Sequence, residues 1–144
     1  MLNKMSIREI QEEIVEEFSV FDDWMEKYNY LIELGKELPA IDPKYKTDDY
    51  LIEGCTSRVW LHAALDDEEK MVLTADSDAI ITRGIVALLI RVFSGHTPGE
   101  VKDADTSFLD RIGLKEHLSP TRANGLASMI KQIKMYAIAF AAKQ

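Results

Sequence analysis

The 144-residue chain holds a single cysteine, Cys55. One thiol cannot close an internal disulfide. With only three histidines, His62, His96 and His117, the chain offers no C-x₂-C or H-E-x-x-H spacing for zinc. Basic residues are scarce, 17 against 25 acidic ones, for a net charge of −8. Nucleic-acid binding needs clustered Lys and Arg, so that balance argues against it. No run approaches the roughly 20 apolar residues of a membrane span, and the longest, IVALLI and YAIAFAA, are sized for core helices. Phosphate loops and dinucleotide fingerprints are missing too. The opening MLNKMSIREIQEE turns acidic too early for a signal peptide. These absences predict a soluble, cytoplasmic protein in a reducing compartment, where a lone thiol stays free.

What is present is a core. At 47% hydrophobic, the chain predicts one packed domain over 1–144. Ser6-Ile7-Arg8-Glu9 has capping-box spacing, with Met5 and Ile10 placed as a hydrophobic staple. Ile7, Ile10, Ile14 and Phe18 continue as a helical stripe. Asp23 with Glu26 starts a second helix, with Trp24, Tyr28, Leu31, Ile32 and Gly35 on one face. Pro39 ends it, and Pro43 predicts a solvated, non-helical loop over residues 39–50.

From Arg58 the period becomes two. Val59, Leu61, Ala63 and Leu65 form an apolar face, with Arg58, Trp60, His62 and Asp66 on the other. Met71, Leu73 and Ala75 predict a second strand across the acidic turn Asp66 to Glu69, and Tyr50 to Ile52 a short third one. Asp76-Ser77-Asp78 reads as a helix start, before a buried central helix carrying Ile80, Ile81, Ile85, Leu88, Leu89 and Val92. Thr97-Pro98-Gly99-Glu100 is a second capping box. A short helix spans Phe108 to Ile112 and ends at Gly113. Ser119-Pro120 opens a last helix reaching Ala142. The fold class is α+β, with helices on one face of a small antiparallel sheet.

Chemistry centres on EGCTSRVW, residues 53 to 60. A lone cysteine is commonly a small buried hydrophobe. Cys55, however, follows Gly54, which permits unusual backbone angles, on a loop entering a strand. Arg58 stands near enough in sequence to favour a thiolate, or is simply a solvated strand residue. A thiol hydrolase needs a histidine base, but strand parity puts His62 with Arg58 and Trp60, away from Cys55. His96 and His117 fall in turns and are expected at the surface. Asp76-x-Asp78 is better explained by helix capping than by metal. The residues alone leave two readings open: a stand-alone thiol enzyme of peroxidase or hydrolase type, and an acidic interaction module with an inert Cys55.

Four blocks, DWMEKYNYLIELGKELP (23–39), EGCTSRVW (53–60), ADSDAIITRGIVALLI (75–90) and HLSPTRANGLASMI (117–130), resemble the SufE family in order and spacing. Thr56 stands where that family often has Gln, and Ala75 where it often has Gly. The resemblance implies an α+β fold similar to the IscU-type scaffold. It also implies sulfur relay: Cys55 accepts persulfide sulfur from a SufS-type cysteine desulfurase, stimulates that enzyme, and hands the sulfur to iron–sulfur scaffold proteins. By the same resemblance Arg122 engages the desulfurase and Asp78 lies near the cysteine loop, with Gly54, Ser57 and Arg58 as further candidate supporting residues. The chain is then an acceptor and activator rather than an independent enzyme. It has no cofactor of its own, since the pyridoxal phosphate belongs to the desulfurase.

Overall fold

A computed structural model describes residues 5–55 and 57–143. Helix α1 (Ile7–Ser19) starts at the expected capping box. Ser6 accepts from the Glu9 N–H, and the Glu9 carboxylate accepts from the Ser6 N–H. Its buried stripe is Ile7, Ile10, Ile14 and Phe18, plus Gln11, whose amide donates to the Asp105 carbonyl. Helix α2 (Trp24–Lys36) is capped by Asp23. It crosses α3 (Ile80–Phe93) so closely that a Cβ on Gly84 would lie 2.2 Å from the Leu31 carbonyl oxygen.

Strands β1 (Val59–Leu65) and β2 (Met71–Ser77) pair antiparallel, with Val59 opposite Ser77 and Leu65 opposite Met71. The connecting turn needs no glycine. Asp66 Oδ1 accepts from the N–H groups of Glu68 and Lys70, and Glu69 takes the left-handed angle at φ 63°. Helices α4 (Pro98–Asp103), α5 (Phe108–Arg111), α6 (Leu114–His117) and α7 (Pro120–Ala142) complete the chain. The core lies between the sheet's apolar face, α3 and the inner stripe of α7, at Val59, Leu61, Leu73, Ile85, Leu89, Met129 and Ile133. None of the described helices is long and apolar enough to cross a membrane.

Several expectations need correction. The third strand at Tyr50 to Ile52 is a single bridge, Leu51 to Trp60, because Asp48–Tyr50 closes into a 3-10 turn first. A second such turn, Pro43–Tyr45, means the 39–50 loop is not free of helical structure. Pro43 tolerates it at the first position, where no N–H is needed, and Asp42 caps it through the Lys44 N–H. These turns fold back over the sheet's second face. Tyr45 stacks on His62 with centroids 3.6 Å apart, and Lys46 lies over the Trp60 ring, so Trp60 is buried rather than solvated.

The Asp76-Ser77-Asp78 helix start is also wrong. β2 runs through Ser77, and α3 begins at Ile80 behind Ala79, which offers no side-chain cap. Ile80 itself is 66% exposed, outside the core assigned to it. His96 is buried at 4% exposure, its Nε2 2.9 Å from the Met5 carbonyl oxygen, not at the surface.

Candidate functional site

Two ties, the second of them reciprocal, join the ends of the loop that carries Cys55. The Ile52 N–H donates to the Val59 carbonyl at 2.9 Å, bringing the residues on either side of the loop together at the sheet edge. At its exit, the Arg58 N–H donates to Asp78 Oδ1 at 3.0 Å, and the Asp78 N–H donates back to the Arg58 carbonyl at 3.2 Å. The carboxylate read as a helix cap therefore braces the cysteine loop instead. Thr56 lies outside the described residues.

Gly54 supplies the turn into the thiol. Its φ of +91° is a left-handed angle, and a Cβ there would come 2.5 Å from Ser128 Oγ on α7. Helix α7 answers with a glycine of its own. At Gly125, Cys55 Sγ donates to the carbonyl oxygen at 3.6 Å, and a Cβ added there would stand in ordinary contact with the sulfur at 3.5 Å. The thiol is half-buried against the core. Burial pushes its pKa up, because an apolar surround disfavours the thiolate.

A small cavity opens beside the sulfur. Ser57 and Cys55 form one wall, Thr82 and Ile85 of α3 a second, and Thr121, Arg122, Gly125 and Met129 of α7 the third. Arg122 is exposed at the mouth, in the first turn of α7, whose cap is Ser119. Cys55, Ser57 and Arg122 thus share one cavity, with Gly54 and Asp78 shaping the loop behind it. The Arg58 side chain is exposed, and its part in the loop is played by its backbone.

Beneath this turn, Asp76 is buried between Lys46 Nζ at 3.3 Å and Arg83 Nε at 3.2 Å. The Arg83 contact is an ion pair without hydrogen-bond alignment. The Lys46 contact ties the loop before the cysteine to the end of β2.

Sequence reasoning missed Thr82, Thr121, Gly125, Ser128 and Met129. Thr82 carried a signal, as a hydroxyl inside the apolar run IITRGIVALLI. Gly125, in a helix interior where glycine is unfavourable, carried another. The histidines lie elsewhere. His62 is stacked under Tyr45, His96 faces the Met5 carbonyl, and His117 Nδ1 is 2.9 Å from the Gly113 carbonyl oxygen. Among the described residues none of them bonds to Cys55, and no acidic, histidine or cysteine cluster is arranged to hold a metal.

A family model described as the SufE Fe-S metabolism associated domain matches residues 12–137. The chain belongs to the SufE family. An uncharacterized SufE-like protein of Rhizobium meliloti is 42% identical over 127 residues, covering 85% of this chain and 91% of that one. A SufE-like protein 1 of Arabidopsis thaliana, described as chloroplastic/mitochondrial, is 38% identical over 127 residues. That match covers 88% of this chain but only 34% of the longer plant protein. In three dimensions, a hypothetical protein from Thermus thermophilus superposes with a TM-score of 0.76 over 92% of this chain and 96% of that one. At 18% identity that likeness speaks for the fold, and the α+β SufE-like architecture expected from the sequence is the one observed.

Proposed function

We propose that the protein accepts persulfide sulfur on Cys55 from a SufS-type cysteine desulfurase, stimulates that enzyme, and relays the sulfur to iron–sulfur scaffold proteins. The observation that carries this reading is Cys55 itself. The chain's one thiol sits in a loop tied at both ends, beside a cavity shared with Arg122, in a SufE-family domain.

The step is a thiol exchange at sulfur. The Cys55 proton leaves for solvent or a basic group of the partner. The thiolate attacks the outer sulfur of the partner's Cys–S–S group and a new sulfur–sulfur bond forms at Cys55 Sγ. The partner's old sulfur–sulfur bond breaks, and its electron pair leaves with the partner's cysteine thiolate. No oxidant is consumed. The pyridoxal phosphate that generates the persulfide resides in the desulfurase. A reducing compartment such as the cytoplasm suits the reaction, since the acceptor must stay a free thiol.

The test is to incubate the protein with a cysteine desulfurase and cysteine and weigh it intact under non-reducing conditions. The wild type gains the mass of one sulfur, removable by a thiol reductant, and Cys55→Ser gains none. Sulfur acquisition by the serine variant refutes the assignment, because no other cysteine exists.

A further inference from the structure

Arg122 and Thr121 occupy the first turn of α7, and the direction of that turn is set by the strap before it, residues 112–119. The strap contains only the four-residue helix α6 and a left-handed Gly113 at φ 77°. So short a helix has little stability of its own. It is held from outside, by three side chains on one face of α2 spaced i, i+3 and i+4. The Tyr28 hydroxyl donates to the His117 carbonyl at 2.6 Å. The His117 ring stacks on Trp24, with centroids 4.2 Å apart and planes 20° from parallel. Lys27 Nζ donates to the Ile112 carbonyl at 3.4 Å. Leu118, the next residue along, is buried.

We infer that Trp24 and Tyr28 are positioning residues for Arg122: by clamping the strap they fix the first turn of α7, so that the arginine at the cavity mouth meets the desulfurase in one orientation. The inference rests on the sulfur-acceptor reading above. The hydrogen bond from Tyr28 is solvent-exposed, so it rescues no buried polar group, and its loss leaves the ring in its packing. Its effect falls on orientation. A strap free to wander adds its own ordering to the entropy cost of docking, on top of that of the arginine side chain.

The experiment titrates a cysteine desulfurase against wild type, Tyr28→Phe, Arg122→Ala and the double variant, reading sulfur loaded on Cys55 by mass, with melting temperatures alongside. Tyr28→Phe is expected to raise the half-saturating desulfurase concentration about threefold, part of the worth of one hydrogen bond, at an unchanged plateau and a near-wild-type melting temperature. The double variant is expected to be no worse than Arg122→Ala, since an absent arginine needs no positioning. Trp24→Phe, which keeps a stacking ring, shifts half-saturation less than Trp24→Ala. If Trp24→Ala does not fold, the Tyr28→Phe cycle decides alone.

Additive effects of Tyr28→Phe and Arg122→Ala overturn the inference, as does an unshifted Tyr28→Phe or Arg122→Ala while the wild type loads normally. In those outcomes the acceptor reading stands. Failure of the wild type to load at any desulfurase concentration removes both.

Discussion

Cys55 Sγ donates to the backbone carbonyl of Gly125 at 3.6 Å, on a stretch of α7 where an added Cβ would still stand in ordinary contact, 3.5 Å from the sulfur. A carbonyl is an acceptor, so it favours the thiol over the thiolate, and burial acts in the same direction. The resting site stores its sulfur nucleophile in the unreactive form.

Alkylation should reveal that storage. In the native protein, Cys55 is expected to react with iodoacetamide more slowly than a denatured control at pH 7 to 8. Its rate–pH midpoint should lie above the ordinary thiol value of about 8.5. The sign for stability follows: a thiol pKa raised by folding stabilises the native state below the unfolded pKa. That contribution is lost as pH rises through the folded value. A native midpoint at or below the denatured one contradicts the geometry.

Gly54→Ala is expected to destabilise by roughly 1–2 kcal/mol, the cost of a left-handed angle in a residue with a Cβ. Ser128 Oγ, 2.5 Å from the added carbon, must also rotate away. Adding Ser128→Ala should recover only the steric part, as chemical denaturation of the two variants will show. Full recovery in the double variant would mean that the backbone angle is unimportant.

Asp78→Ala is predicted to loosen the loop at its exit. It removes the acceptor of the Arg58 N–H, a bond worth about 1 kcal/mol at a partly solvated site. Amide exchange at Arg58 and alkylation of Cys55 should both accelerate. Asp78→Asn, which keeps an acceptor oxygen, should stay close to wild type in both measurements.

Arg122→Ala should weaken desulfurase stimulation with little loss of melting temperature. The side chain is exposed at the cavity mouth and its guanidinium has no hydrogen-bond partner among the described residues. A cation in the first turn of α7 is also mildly unfavourable against the helix dipole. Equal stimulation by wild type and variant across a range of desulfurase concentrations would count against the assigned role.

On the sulfur-acceptor reading, we propose that the loop between the Ile52–Val59 tie and the Arg58–Asp78 tie swings outward to meet the desulfurase. A few kcal/mol between the two positions suffices for partner contacts to shift the balance. Hydrogen exchange is expected to quicken around Gly54 and Ser57 when the desulfurase binds, while the contact surface becomes protected. Greater protection of this loop in a complex that still transfers sulfur would exclude the swing.

The sequence by itself determined the elements whose causes are local. The capping boxes at Ser6 and Thr97, the Asp23 cap, the stop at Gly113 and the long final helix each depend on residues within one or two turns. The period-two stretch after Arg58 announced β1 for the same reason. Cys55 stood out because it has no competitor.

Tertiary structure decided everything that two distant segments settle together. Asp76 and Asp78 looked like helix caps because capping chemistry is local. Folding brings Lys46 and Arg83 to the first and the Arg58 amide to the second, so one anchors the preceding loop and the other braces the cysteine. Trp60 and His62 alternate with the core residues and so read as the face turned away from the core. The turns at Pro43 and Asp48 carry Tyr45 and Lys46 over them, and no strand pattern encodes that cover. Gly125 lies seventy residues from Cys55 in the chain. Its meaning, a carbonyl that accepts from the thiol, exists only once α7 has packed against the loop.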